Sequence, residues 1–146
     1  MTQLYEIYLE NNETVFTVGS IVAETEELYI VESLDETGRL DSFQVRPKAK
    51  VGKLVSSSKY LELMEFTNNY NVDNGNYNPL GLELNYDDYS SLEGTFHQMR
   101  NSEDIYTIVT STHEEVLVGS VKDIFEKRGY YERDKLRRFY ANRGPH

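Results

Sequence analysis

The chain contains no cysteine. Disulfides, thiol nucleophiles and cysteine-ligated zinc are thereby excluded, and nothing directs the reading towards an oxidising compartment. No apolar run approaches the roughly 18 residues that would span a membrane. The opening Met1-Thr-Gln-Leu-Tyr-Glu6 has neither the basic start nor the apolar stretch of a secretory signal. The expectation is a soluble cytoplasmic protein with no membrane partner. Glycine-rich phosphate loops, a nucleophile elbow and a His-Glu-x-x-His pattern are all missing. The three histidines, His97, His113 and His146, lack the convergent neighbours of a metal site. In Asp73-Asn-Gly-Asn76, Gly75 as the sixth position of a calcium loop would put Tyr70 first and Gly81 twelfth, so the pattern fails and a turn is expected. No cofactor is called for, and the chain is not expected to be an enzyme. A metal-independent hydrolase built on His97 and His113 is the last of the functional alternatives.

Positive charge is also in short supply. The 146 residues carry 25 acidic and 15 basic groups, a net charge of -10, and no basic residue occurs between Lys59 and Arg100. The basic groups gather in residues 46–59 and 127–143, with acidic stretches before each. A net negative protein is repelled by nucleic acid at long range and suits a basic protein partner better.

What the chain does have is strand pattern and aromatic bulk, with twelve Tyr and six Phe. A strand is expected within residues 15–23, with Gly19 marking a bulge or bend. Leu28, Ile30 and Leu34 share one face of the next strand, and Asp35-Glu-Thr-Gly38 reads as a tight turn. A returning strand runs over 41–48, where Pro47 should end it, and a short one follows over 51–55. Ser56-Ser-Ser58 offers caps for a helix whose Tyr60, Leu63, Met64 and Thr67 make the expected buried stripe. Residues 68–91, rich in Asn and Tyr, read as a linker or long loop. The second half, residues 92–146, reads as a smaller β unit with strands over 105–110 and 115–120 and helices to the end.

The fold class expected is therefore mainly β with helices (α+β). It comprises residues 1–67 as a small, strongly bent antiparallel sheet or barrel ending in its helix, then the linker over 68–91 and the second unit. The order of Gly19, Leu28 and the 60–66 helix is echoed by Gly94, Ile105 and residues 131–139, so an internal duplication is one alternative.

Val18-Gly-Ser-Ile21, Leu28-Tyr-Ile-Val31, Asp35-Glu-Thr-Gly-Arg-Leu-Asp41 and Val51-Gly-Lys-Leu54 resemble the Sm-like family of small five-stranded bent barrels. They also resemble short Gram-positive proteins that carry one or two such units. The resemblance spans residues 15–66, and an SH3-like barrel fits the same pattern. It implies a fold. The family's Asp-then-Asn RNA-contacting pattern is absent from residues 32–39, and Val51-Gly52 stands where the family has Arg-Gly, so RNA binding does not come with it.

The leading functional expectation is a non-catalytic binding or regulatory protein whose acidic surface engages a protein partner. The alternative is an RNA-binding module that uses the basic segments. Candidate binding residues are Lys48, Lys50 and Lys53, with Arg46 and Lys48 to Lys50 sharing a strand face. Arg137 and Arg138 on the C-terminal helices, and the tyrosines Tyr70, Tyr77, Tyr86 and Tyr89 of the linker, complete the set. Strand addition along the 47–54 edge would support a homo-oligomer.

Overall fold

The computed structural model describes residues 3–85 and 89–101 in full, together with the backbone of 106–109 and 116–119. The chain forms two compact units, Met1–Ser91 and Leu92–His146. The first is an antiparallel sheet of β1 (Leu4–Leu9), β2 (Phe16–Glu24), β3 (Leu28–Leu34), β4 (Leu40–Pro47) and β5 (Val51–Val55), followed by helix α1 (Lys59–Asp73). Spatial order is β4-β3-β2-β1-β5. The first four strands meander, and the fifth returns to pair with the first, bringing Val55 opposite Glu6 and Leu54 opposite Ile7.

Local chemistry accounts for the connections. Asp35 Oδ1 accepts hydrogen bonds from the Thr37 and Arg39 amides and the Thr37 hydroxyl, closing the β3–β4 turn. Gly38 completes it at a φ of 80°. A side chain there would be strained twice over, because a Cβ would also lie 2.7 Å from the Asn68 amide of α1. Gly19 does not form the bulge expected of it. The register shift in β2 falls between Ile21 and Ala23, while Gly19 lets β3 approach so closely that a Cβ would meet the Glu32 carbonyl at 2.5 Å. Further shifts occur opposite Tyr8/Leu9 and Ser33/Leu34, where β5 and β4 each carry one extra residue, Gly52 and Asp41. Pro47 ends β4 as expected, and Lys48–Lys50 forms a 3-10 turn. Strand alternation therefore does not reach Lys48 and Lys50, and the expected shared face with Arg46 is lost.

Ile30 and Val31 are adjacent on β3 and both fully buried, so that strand is covered on both faces. One cover is α1. Leu61 and Met64 pack with Leu4, Val18 and Leu34, and Phe16 and Tyr77 close the margin. This corrects the expected helix stripe. The buried positions are Leu61, Met64, Asn68 and Asn71, whereas Tyr60 and Leu63 face outward. Between 60 and 66 the helix has apolar residues on every side, so hydrophobicity alone does not choose a face. The asparagines choose it. Asn68 Nδ2 donates to the Gly38 carbonyl at 3.0 Å and Asn71 Nδ2 to the Thr37 carbonyl at 2.6 Å, satisfying the β3–β4 turn from above.

Helix α1 also runs through Asp73, into the segment read as linker. Beyond it, Tyr77 returns to the sheet. Its carbonyl accepts from the Leu40 amide and its hydroxyl donates to Glu32 Oε2 at 3.2 Å.

The second unit opens with α2 (Leu92–Asn101), which was not assigned from the sequence, followed by paired strands β6 (Tyr106–Val109) and β7 (Val116–Gly119) inside the two stretches expected as strands. Thr95 and Met99, four apart, give α2 its buried stripe. Gly94 is thus helical while Gly19 lies in a strand, which leaves the duplication without structural support. The helices expected at the C-terminal end lie outside the described residues.

Candidate functional site

Helix α1 begins on a buried polar cluster. Glu6, on β1, is only 6% exposed. Its Oε1 accepts the Tyr8 hydroxyl at 2.8 Å and its Oε2 accepts the Ser58 hydroxyl at 2.5 Å. Ser58 in turn accepts the Leu61 amide at 3.0 Å as the helix N-cap. The hydrogen bond to Glu6, burial and the Glu6 charge together push the Tyr8 phenol above its usual range. The cluster fixes where α1 starts. Its hydrogen bonds run among its own members.

Opposite the buried face, α1 presents Leu63, Phe66 and Tyr70 at i, i+3 and i+7, exposed by 56%, 71% and 63%. Helical geometry puts Glu62, Glu65 and Asp73 along one flank of this stripe. All three are exposed, and among the described residues no cation lies within ion-pair distance of them. The only basic residue of the helix is Lys59 in its first turn, and its last turn has none. Of the tyrosines expected to bind, Tyr70 lies in this stripe, Tyr77 and Tyr89 are half-buried and buried, and Tyr86 lies outside the described residues.

The basic candidates are engaged within the first unit. Lys48 Nζ lies 2.9 Å from Glu24 Oε2 and 5.1 Å from the centre of the Tyr29 ring. Lys50 lies 3.9 Å from Glu10, and Lys53 sits 4.4 Å over the Tyr8 ring. Arg46 donates to Gln44 and Thr17, each at 2.8 Å, and burial lowers its guanidinium below the usual range, where it still remains charged at neutral pH. Arg137 and Arg138 lie outside the described residues, as do His113 and His146. His97 is on α2, half exposed, 3.7 Å from Glu93 one turn earlier. Among the described residues no group of His, Asp and Glu converges as a metal site would need, and no helix is long and apolar enough to cross a membrane.

Sequence reasoning missed the outward stripe of α1 and the Glu6–Ser58 link. The signal for the stripe was the spacing of Asn68 and Asn71 with Leu61 and Met64, which marks the face that meets backbone carbonyls. The link joins residues 52 apart and left no local pattern. Comparison with protein-family models, characterised proteins and solved structures finds no match for this chain.

Proposed function

We propose that this is a non-catalytic binding protein whose first unit engages a basic protein partner through its acidic surface. The observation that carries the reading is the division of charge between the two units. Residues 1–91 hold 16 acidic and 6 basic groups, while residues 92–146 hold 9 of each, so the whole net charge of -10 belongs to the first unit. Its basic groups are moreover partly consumed internally, since Lys48 and Lys50 pair with Glu24 and Glu10. Although Arg39, Lys53 and Lys59 are also exposed, the carboxylates outnumber them, and the net negative field speeds encounter with basic partners and repels acidic ones. The five-stranded meander with β5 returned to β1 supports reading this unit as a small Sm-like or SH3-like bent barrel. Such a fold positions surfaces without dictating an activity.

RNA binding through Lys48, Lys50 and Lys53 is the weaker reading, because a phosphate would have to displace Glu24, Glu10 and the Tyr8 ring. A nuclease-treated affinity capture at two salt concentrations separates the two. A retained protein, released when exposed carboxylates of the first unit are neutralised, is the expected result. Bound RNA that is lost at moderate salt and in a Lys48→Glu, Lys50→Glu, Lys53→Glu variant would instead establish the RNA reading.

A further inference from the structure

Helix α1 divides its polar and apolar groups in an unusual way between core and solvent. Its buried side is half polar, with Asn68 and Asn71 bound to turn carbonyls. Its solvent side carries an apolar line of Leu63, Phe66 and Tyr70 beside the exposed carboxylates. A contiguous exposed apolar stripe at helical spacing is the form in which one helix presents itself to another. Resting on the acidic-surface reading above, we propose that this stripe is the docking surface, and that its occupant is a basic amphipathic segment of a partner protein.

Charge complementarity selects that occupant. Glu62, Glu65 and Asp73 flank the stripe, and residues 60–91 contain no Lys or Arg. The negative end of the helix dipole adds to Asp73 at the C-terminal end, where no basic side chain offsets it. Lys59 stands at the opposite end. The partner therefore places apolar side chains at i, i+3 or i+4, and i+7 over Leu63, Phe66 and Tyr70. Its Lys or Arg lie along the acidic flank, densest near Tyr70 and Asp73 and away from Lys59. An acidic or neutral amphipathic segment would fill the same stripe but leave the carboxylates facing like charge or nothing.

The test uses the full chain and a synthetic, fluorescently labelled helical peptide of Leu and Lys, with a Glu-for-Lys counterpart as control. Binding is read by anisotropy at low and high salt. The expected result is saturable binding of the Lys peptide only. It weakens by about tenfold in Phe66→Ser and in Glu62→Lys, Glu65→Lys, and is unchanged in Glu24→Gln, Glu26→Gln, Glu27→Gln. Circular dichroism and an unchanged melting temperature show that Phe66→Ser still folds. Equal binding by Phe66→Ser, with loss in the triple Gln variant, would overturn the docking site while leaving the acidic-surface reading intact. Failure of the wild-type chain to bind any basic peptide would overturn both. A wild-type dimer by sedimentation that Phe66→Ser turns into monomer would overturn the proposal in favour of a second copy as occupant.

Discussion

Ser58 accepts the Leu61 amide and donates to a buried carboxylate, so its removal acts twice. Losing the cap costs about 1 kcal/mol, and leaving a buried Glu6 oxygen without its donor costs a further ~1–3 kcal/mol. Ser58→Ala should lower stability by their combined range in urea unfolding. Asp is ordinarily as good an N-cap as Ser. Here it would set a second carboxylate against Glu6, and Ser58→Asp should be the worse of the two variants. Two titrations also follow at this scale. Burial alone would raise the Asp35 carboxyl, but hydrogen bonds from Thr37 and Arg39, with the Arg39 charge, outweigh it and hold the group below its ordinary value. The stabilisation is present above the unfolded value of about 4 and is lost as pH falls through the folded one. Unfolding midpoints at pH 5 and pH 3 should differ more for the native chain than for Asp35→Ala. Tyr8 runs the other way. Its raised folded value means stabilisation that is complete below about pH 10 and lost as pH rises through the folded value. Among the twelve tyrosines, the ultraviolet titration should show a late step that Tyr8→Phe removes.

At the scale of elements, α1 offers a contrast between neighbours. Met64 is 2% exposed in the core cluster and Phe66 is 71% exposed. Met64→Ala should cost roughly 2–4 kcal/mol. Phe66→Ala, although the larger deletion, should stay within about 0.5 kcal/mol of the native chain by thermal or urea unfolding. The stripe read from Tyr60, Leu63, Met64 and Thr67 ranks these two the same way, but it would have made Leu63, which is 56% exposed, as costly to remove as Met64. Strands were the legible part. Val18, Leu28, Ile30 and Leu34 alternate or cluster in ways that only a sheet buries, and Gly38 and Pro47 mark a turn and a strand end by backbone constraint alone. The helix over Leu92–Asn101 was not read from the sequence. The Glu93–His97 pair and the buried Thr95 and Met99 belong to helix. The binding stripe was not legible from apolar periodicity. Its position depends on two amides finding the carbonyls of a turn 30 and 34 residues earlier.

At the scale of the whole molecule, the first unit holds its own core. Tyr77 ties the segment after α1 back to β4 through Leu40 and to β3 through Glu32. A chain of residues 1–91 should therefore unfold cooperatively by circular dichroism, whereas one ending at residue 74 should melt lower. Because that fragment keeps the entire net charge of -10, its self-repulsion is large for its size. Raising salt from about 0.01 M to 0.15 M, which shortens the screening length from about 30 to 8 Å, should raise its melting temperature measurably.

The place of β1 between β2 and β5 has a consequence in time. The first strand of this sheet to be made is an interior strand, and its second neighbour is the last strand of the sheet, 49 residues later in the register that sets Glu6 beside Val55. During synthesis Leu4–Leu9 can pair only on one side until Val51–Val55 has emerged, and its other edge stays open throughout. Closing that long span comes before the contacts that reward it. The sheet is therefore complete only once β5 has paired, and that strand pair gives Glu6 and Ser58 the geometry in which α1 can start.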